Sequence, residues 1–377
     1  MRAELAETAL ARHAGRFVWL ELNFDSPANR EFLERRAIVA TPTLFVLDPT
    51  DGRATATHLG GLGRAELLRF LDEGARGVGA HATSPADSAL ARGDAHLGLG
   101  EMDAAVASYR DALRLAPTAW PHRSRASAQL AQTLDTKRDY EACATLAASE
   151  AAHMARTPEF ARAALAGLHA AVRGRDAAWT GTTRATLVPL AAEAVDVQGV
   201  DRDTRFQLYM ALCMEAQARG DSTALARWGT RYQRALDAIV PKNDEERTGL
   251  DIALVEAADF VPDPASLVPR LEASERAMPK NYVPSLRLAQ LLLSLERAPE
   301  ALAACERGLT RVDGPLGKTW LLELEARALI AQGDRAGAQR ILAEAQASAL
   351  AINTRNNRDI NLQQISRLRA QAGGETK

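Results

Sequence analysis

Three cysteines, Cys143, Cys213 and Cys305, are the strongest nucleophiles the chain carries by residue type. Thiol–disulfide exchange runs through a thiolate. A reactive pair is usually a Cys-x-x-Cys at a helix start, where the dipole and a local positive field hold that anion. These three lie far apart and none belongs to such a motif. An odd, scattered set also argues against a disulfide framework. Each falls where a helical repeat would place a small buried residue, so packing is the expected role.

The other chemistry-bearing residues are equally dispersed. His13, His58, His81, His96, His122, His153 and His169 contain no i, i+4 pair and no grouping with cysteine that would suit zinc. His96 stands where a repeat usually has tyrosine, so packing is expected there. Neither a cofactor nor a metal is expected. Asp313-Gly314-Pro315-Leu316-Gly317-Lys318-Thr319 ends like a phosphate-binding loop, but Val312 occupies the position of its first glycine and a helix precedes it. An inter-helix loop is expected instead. Gly60-Gly61-Leu62-Gly63 lacks both the G-x-G-x-x-G spacing and its acidic partner, and reads as a strand-to-helix turn. No Gly-x-Ser-x-Gly and no carboxylate dyad marks the α/β part.

What remains is a backbone feature at Thr41-Pro42-Thr43, which leads into the apolar run Leu44–Leu47. Proline cannot donate to a sheet ladder, so it suits a strand's first residue or a turn. Asp48-Pro49-Thr50-Asp51-Gly52 supplies hairpin-turn residues. A second strand is expected over Arg53–His58, then an amphipathic helix over Arg64–Ala75. Upstream, the charged residues 1–13 read as a helix, Phe17–Phe24 as a strand buried on both faces, and Ser26-Pro27 as a helix start.

The order Phe17-Val18-Trp19-Leu20-Glu21-Leu22, a helix with Phe32-Leu33, Thr41-Pro42-Thr43-Leu44-Phe45-Val46, a turn with Gly52, Leu59-Gly60 and a last helix with Leu67-Leu68 and Phe70-Leu71 resembles the second half of a thioredoxin domain. It is most similar to bacterial thioredoxin-family proteins that read "FVWLEL" and "PTLFVLDP". The resemblance covers residues 1–79. It implies that Pro42 follows a cis bond and that Thr41 and Pro42 contact an extended peptide client. It also implies a Cys-x-x-Cys some forty residues before Pro42, a position at or before Met1. The resemblance therefore reads as an N-terminally truncated module without its redox pair. An upstream pair would make the full protein a thiol-disulfide oxidoreductase in cell redox homeostasis.

From residue 88 onward the pattern is helical. In Gly93 to Ala105, and on through Tyr109 to Pro117, "GEMDAAVASYRDALRLAP" fits the tetratricopeptide signature, whose small residues let two antiparallel helices approach. The twelve-residue step recurs from Ala131 to Cys143, Ala289 to Ala301 and Ala326 to Ala338. Between them, helices are expected over Pro158–Arg173, Ala177–Val195, Thr204–Arg219, Ser222–Ile239, Asp244–Phe260 and Ala265–Met278, separated by Pro241, Pro262 and Pro279. The organisation expected is mainly α: a partial thioredoxin-like α/β module (1–79), a linker (80–87), one continuous α-solenoid (88–372) and a disordered tail (373–377).

Charge and composition narrow the function. A net charge of -2 gives no electrostatic ground for nucleic-acid binding. No run of about 18 apolar residues is present, so no membrane span is expected. The charged start is no signal peptide, and unpaired cysteines suit a reducing cytoplasm; an upstream signal sequence would make the periplasm the setting. An acidic-tail clamp is absent, since its first-repeat positions hold Leu90 and Asp94. The reading is a non-catalytic protein-interaction scaffold, with a peptide or helix in the groove lined by the first helix of each repeat. Oligomeric state is left open.

Overall fold

The computed structural model describes residues 8–22, 26–36, 38, 42–78, 84–150, 154–174, 180–352 and 355–374. The α/β part holds a single hairpin. Strand β1 (Thr43–Leu47) runs antiparallel to β2 (Ala54–Leu59), with Thr43 opposite Leu59 and Phe45 opposite Thr57, and the register slips after Val46. The expected turn closes it: Asp48 Oδ1 accepts from the Thr50 N–H and hydroxyl, and Gly52 takes φ +72°. Pro42 enters β1 as expected, and its carbonyl accepts the Gly60 N–H at 2.8 Å. The short helix α1 (Arg30–Glu34) follows a 3-10 turn at Pro27–Asn29 and packs Phe32 edge-on to Phe45. Helix α2 (Arg64–Gly77) then crosses the sheet, and Gly74 lets it close on Val46: a Cβ there would lie 2.5 Å from the Val46 Cβ. Leu67, Phe70 and Leu71 join Leu10, Val46, Ala56 and Leu62 in one apolar core.

The expected strand Phe17–Phe24 is a correction. Residues 17–22 belong to no strand of the described sheet, with Val18 89% and Leu20 76% exposed. A strand needs a neighbour to satisfy its backbone groups, and the described sheet has two strands that pair only with each other. The described part of residues 1–79 is thus a ββα unit. The expected first helix is a 3-10 segment over Thr8–His13, and residues 1–7 lie outside the described set.

One more boundary shifts. Ser84 caps a helix by accepting the Asp87 N–H, so Pro85 to Asp87 are helical and not linker. Residues 79–83, and 375–377 of the expected tail, lie outside the described residues. The chain comprises two compact units, Met1–Trp228 and Gly229–Lys377, with the division inside a helix.

The chain is mostly helical, with seventeen α-helices among the described residues. In the first unit the repeats are α3 (Pro85–Gly98) with α4 (Met102–Leu115), α5 (Arg123–Thr136) with α6 (Tyr140–Glu150), and α7 (Pro158–Arg173) with α8 (Thr180–Ala194); α9 (Arg202–Ala218) follows. Gly93 packs directly under the buried Tyr109 ring, which is the close approach the signature requires. The first helix α7 neighbours both α5 and α9, and Arg125 of α5 donates to Asp94 of α3.

The division falls in α10 (Ser222–Asp237). The second unit contains α11 (Asp244–Ala257), α12 (Val268–Ala277), α13 (Val283–Ser294), α14 (Ala298–Leu309), α15 (Pro315–Ala331), α16 (Arg335–Leu350) and α17 (Arg355–Gly373). Gly314 is the N-cap of α15, so residues 313–319 are an inter-helix turn and a helix start, as expected. Glu275 ties α12 to α13 and α14, accepting from Ser285, Arg307 and Arg311 at 2.6–3.1 Å. Ala326, Ala338, Leu342 and Ile365 centre the last core cluster.

Candidate helix-binding face

The first helices of the repeats in the first unit carry an unusual number of charged side chains away from solvent. Asp94 on α3 is 1% exposed and Arg162 on α7 is 7% exposed. A buried charge is tolerated only when it is paired and hydrogen-bonded, and the partners come from the ββα unit and from neighbouring first helices. Arg162 donates to Glu66 of α2, itself 3% exposed. Arg69 of α2 donates to Glu159 of α7 at 2.9 Å. Glu73 of α2 pairs with Arg125 of α5 at 3.3 Å, and Arg125 also donates to Asp94. The Tyr109 hydroxyl donates to the other Asp94 oxygen at 2.8 Å.

Backbone groups are matched in the same way. The Gln129 amide of α5 donates to the Thr57 carbonyl of β2 at 2.8 Å, and the Thr57 hydroxyl donates to the Asp94 carbonyl at 2.9 Å. Every residue of β2 is buried. Beyond α7, the loop before α9 closes on the start of α2: a Cβ on Gly63 would lie 3.0 Å from the Gly199 carbonyl oxygen.

Helix α2 is therefore held on two sides. Leu67, Leu71 and Gly74 face the hairpin, while Glu66, Arg69, Phe70 and Glu73 face α5 and α7. Residues three and four apart share a helix face, so Glu66, Phe70 and Glu73 at i, i+4 and i+7 form one stripe. Between that stripe and Ala128, Gln129 and His58 remains a cavity of about 40 Å³, too small for a peptide or a cofactor. Side chains of the chain's own α2 occupy the part of the first-helix face formed by α5 and α7.

The electrostatics follow from burial. Burial pushes the Asp94 carboxyl up, against the pull of Arg125 and the Tyr109 hydroxyl. It works against the Arg125 charge too, yet Asp94 and Glu73 hold that guanidinium above its ordinary value. Burial raises Glu66, against Arg162. Burial, then Arg162, drive His58 well below its ordinary value, so its ring is neutral beside Phe70. Asp94 is thus the anchor of an internal network, which explains why the position cannot serve an acidic-tail clamp.

The sequence-derived site residues sit elsewhere. Thr41 lies outside the described residues, and Pro42 is exposed at the entry to β1. The structure does not bring Pro42 together with the charged face. All three cysteines are buried and unpaired. Burial pushes the Cys213 and Cys305 thiols up to about 12 and raises Cys143 further, and the Cys143 thiol donates to the Ala131 carbonyl. They are packing residues. His96, expected to pack, is half-buried and pairs with Glu101 at 2.5 Å. Sequence reasoning missed Glu66, Glu73, Arg125, Gln129 and Arg162. For Arg125 and Arg162 the one signal was charge on a first helix of a repeat.

The tetratricopeptide repeat family matches residues 86–118, which are α3, α4 and the turn after them. Among solved structures, the chain is similar to a TPR2AB-domain:pHSP90 complex of yeast Sti1 (16% identity, 76% of this chain, 98% of that one, TM-score 0.31). It is also similar to a tetratricopeptide repeat protein from Parabacteroides merdae (12% identity, 77% of this chain, 99% of that one, TM-score 0.44). No curated protein matches the sequence. Among the described residues no helix is long and apolar enough to cross a membrane, and no group of three His, Cys, Asp or Glu could hold a metal.

Proposed function

We propose that the chain is a non-catalytic protein-interaction scaffold in which a ββα module, thioredoxin-like over residues 1–79, is joined to tetratricopeptide-type helices over 88–372. The observation that carries this reading is that the first helices of the repeats already hold a folded ligand. Helix α2 is gripped by Arg162, Glu159 and Arg125 in the manner of a helix in a groove. A repeat face that selects charges at fixed spacing on a helix is an interaction surface. In the thioredoxin-like reading, Thr41 and Pro42 are a second contact point for an extended client. The exposure of Pro42 supports that role, while its carbonyl is already engaged by Gly60. Three buried free thiols favour a reducing, cytoplasmic setting.

The test is selection of ligands from a displayed library of helical and extended peptides against the full chain, followed by hydrogen exchange of the chain with each ligand. The scaffold reading expects ligands that slow exchange on first helices of repeats or around Pro42. Selection that yields no ligand protecting either region refutes it.

A further inference from the structure

We propose that the face formed by α5 and α7 is a binding site for an α-helix of another protein that carries acid, aromatic and acid at i, i+4 and i+7, and that α2 is its resident competitor. The proposal deepens the scaffold reading and rests on it. Three charge contacts set the chemistry of the bound helix. Glu66 meets Arg162, Arg69 meets Glu159, and Glu73 meets Arg125. The signs alternate along the face, acid–base–acid on α2 against base–acid–base on α5 and α7. Between the acids, Phe70 faces Ala128 and Gln129 across the small cavity, an aromatic anchor between charged flanks.

Arg125 is held in place without α2, whereas Arg162 donates its hydrogen bond to Glu66 of α2. Arg125 is fixed by Asp94, and Asp94 by Tyr109. Arg162 stands one turn from Glu159 on the same helix. Preformed charges of this kind favour selection of a charge pattern over mere apolar burial. On the other side, α2 reaches the face from within the same chain, so its effective concentration is far above that of a free helix. A free helix therefore gains the site when α2 is released, and the intact chain admits it weakly.

The experiment uses the full chain with a protease recognition sequence placed between Val78 and Ser84. The probe is a fluorescent blocked peptide of residues 60–78, added in about hundredfold excess before and after cleavage. Cleaved protein is expected to take up the peptide saturably, with the repeats retaining their helical circular dichroism. Uncleaved protein should bind it about a hundredfold more weakly or worse. Arg125→Glu should weaken binding at least about tenfold, and a peptide with Glu73→Lys should restore it. Three results overturn the proposal: no uptake after cleavage, uptake indifferent to the charge exchange, or loss of repeat helicity once the pieces separate. The last would make the module and repeats one inseparable core. A scaffold that binds its client at Pro42 or on first helices other than α5 and α7 would still pass the library test, so the two readings fail separately.

Discussion

Arg162→Met is the sharpest single perturbation of this architecture. Methionine keeps most of the stem volume and removes the guanidinium, leaving Glu66, 3% exposed, without its cation. Breaking one side of a buried ion pair costs about 3–5 kcal/mol, because the remaining charge is uncompensated. Two features moderate the loss. The Gly63 N–H still reaches Glu66 at 3.3 Å, and the carboxyl can take up a proton. Burial already raises the Glu66 pKa, and losing Arg162 removes the main opposing pull. In the variant the folded-state pKa lies above the unfolded one, so protonation favours the fold. The penalty should then be largest near pH 7.5 and shrink as pH falls through the folded value. Glu66→Gln combined with Arg162→Met removes the stranded charge, and should return to within about 1–2 kcal/mol of the parent. Pulse proteolysis in urea, reading fragments from residues 1–228, measures these differences in the relevant unit. A cost below about 1 kcal/mol for Arg162→Met, or simple additivity in the double variant, would refute the argument that this pair seats α2.

His169 on α7 gives a pH signature of its own. Burial, then Arg173, lower its pKa from 6.5 to about 4, so the folded value lies below the unfolded one. Its stability contribution is full above about pH 6.5 and is lost as pH falls towards 4, about 2–3 kcal/mol in all. His169→Gln should flatten that part of the pH dependence of the urea midpoint; an unchanged slope would show that His169 does not titrate this way. Gly93→Ala would set a Cβ 2.4 Å from the Tyr109 ring. Overpacking and the gain in helix propensity oppose each other, for a net loss of about 1–2 kcal/mol. Thermal unfolding should show it, and a neutral result would mean that the two helices are not in such close contact. Arg138 and Glu296 take φ 63° and 60° at turns between paired helices, conformations that glycine adopts without a Cβ penalty. Arg138→Gly and Glu296→Gly should each raise stability by about 0.5–1 kcal/mol, and a fall in the melting temperature would contradict the turn assignment.

The repeat architecture was legible because its determinants are local. Gly93, Ala105 and Tyr109 announce two helices in close contact, and Pro158–Arg173 was delimited by its own proline and apolar period. The hairpin was legible for the same reason, through Asp48, Gly52 and the apolar run after Pro42. Phe17–Leu22 misled because its residues suit a buried strand while its fate depends on a neighbour elsewhere in the chain. The site was mostly illegible. Glu66 and Arg162 are 96 positions apart, and Gln129 reaches Thr57 across 72. Neither pairing leaves a mark in local periodicity. Asp94 was noticed only as a departure from an acidic-tail clamp, although its network organises the face.

The central claim is that α2 sits on α5 and α7 as a charge-selected helix. Native-state hydrogen exchange over Arg64–Gly77, read by mass spectrometry for the parent and for Arg162→Met, tests it directly. The account predicts that α2 amides in the parent exchange at least about a hundredfold more slowly than an unstructured chain. In Arg162→Met that protection should fall sharply in α2 while α16 is unaffected. Equal protection of α2 in the two proteins, or exchange in the parent at the rate of a free peptide, would contradict it.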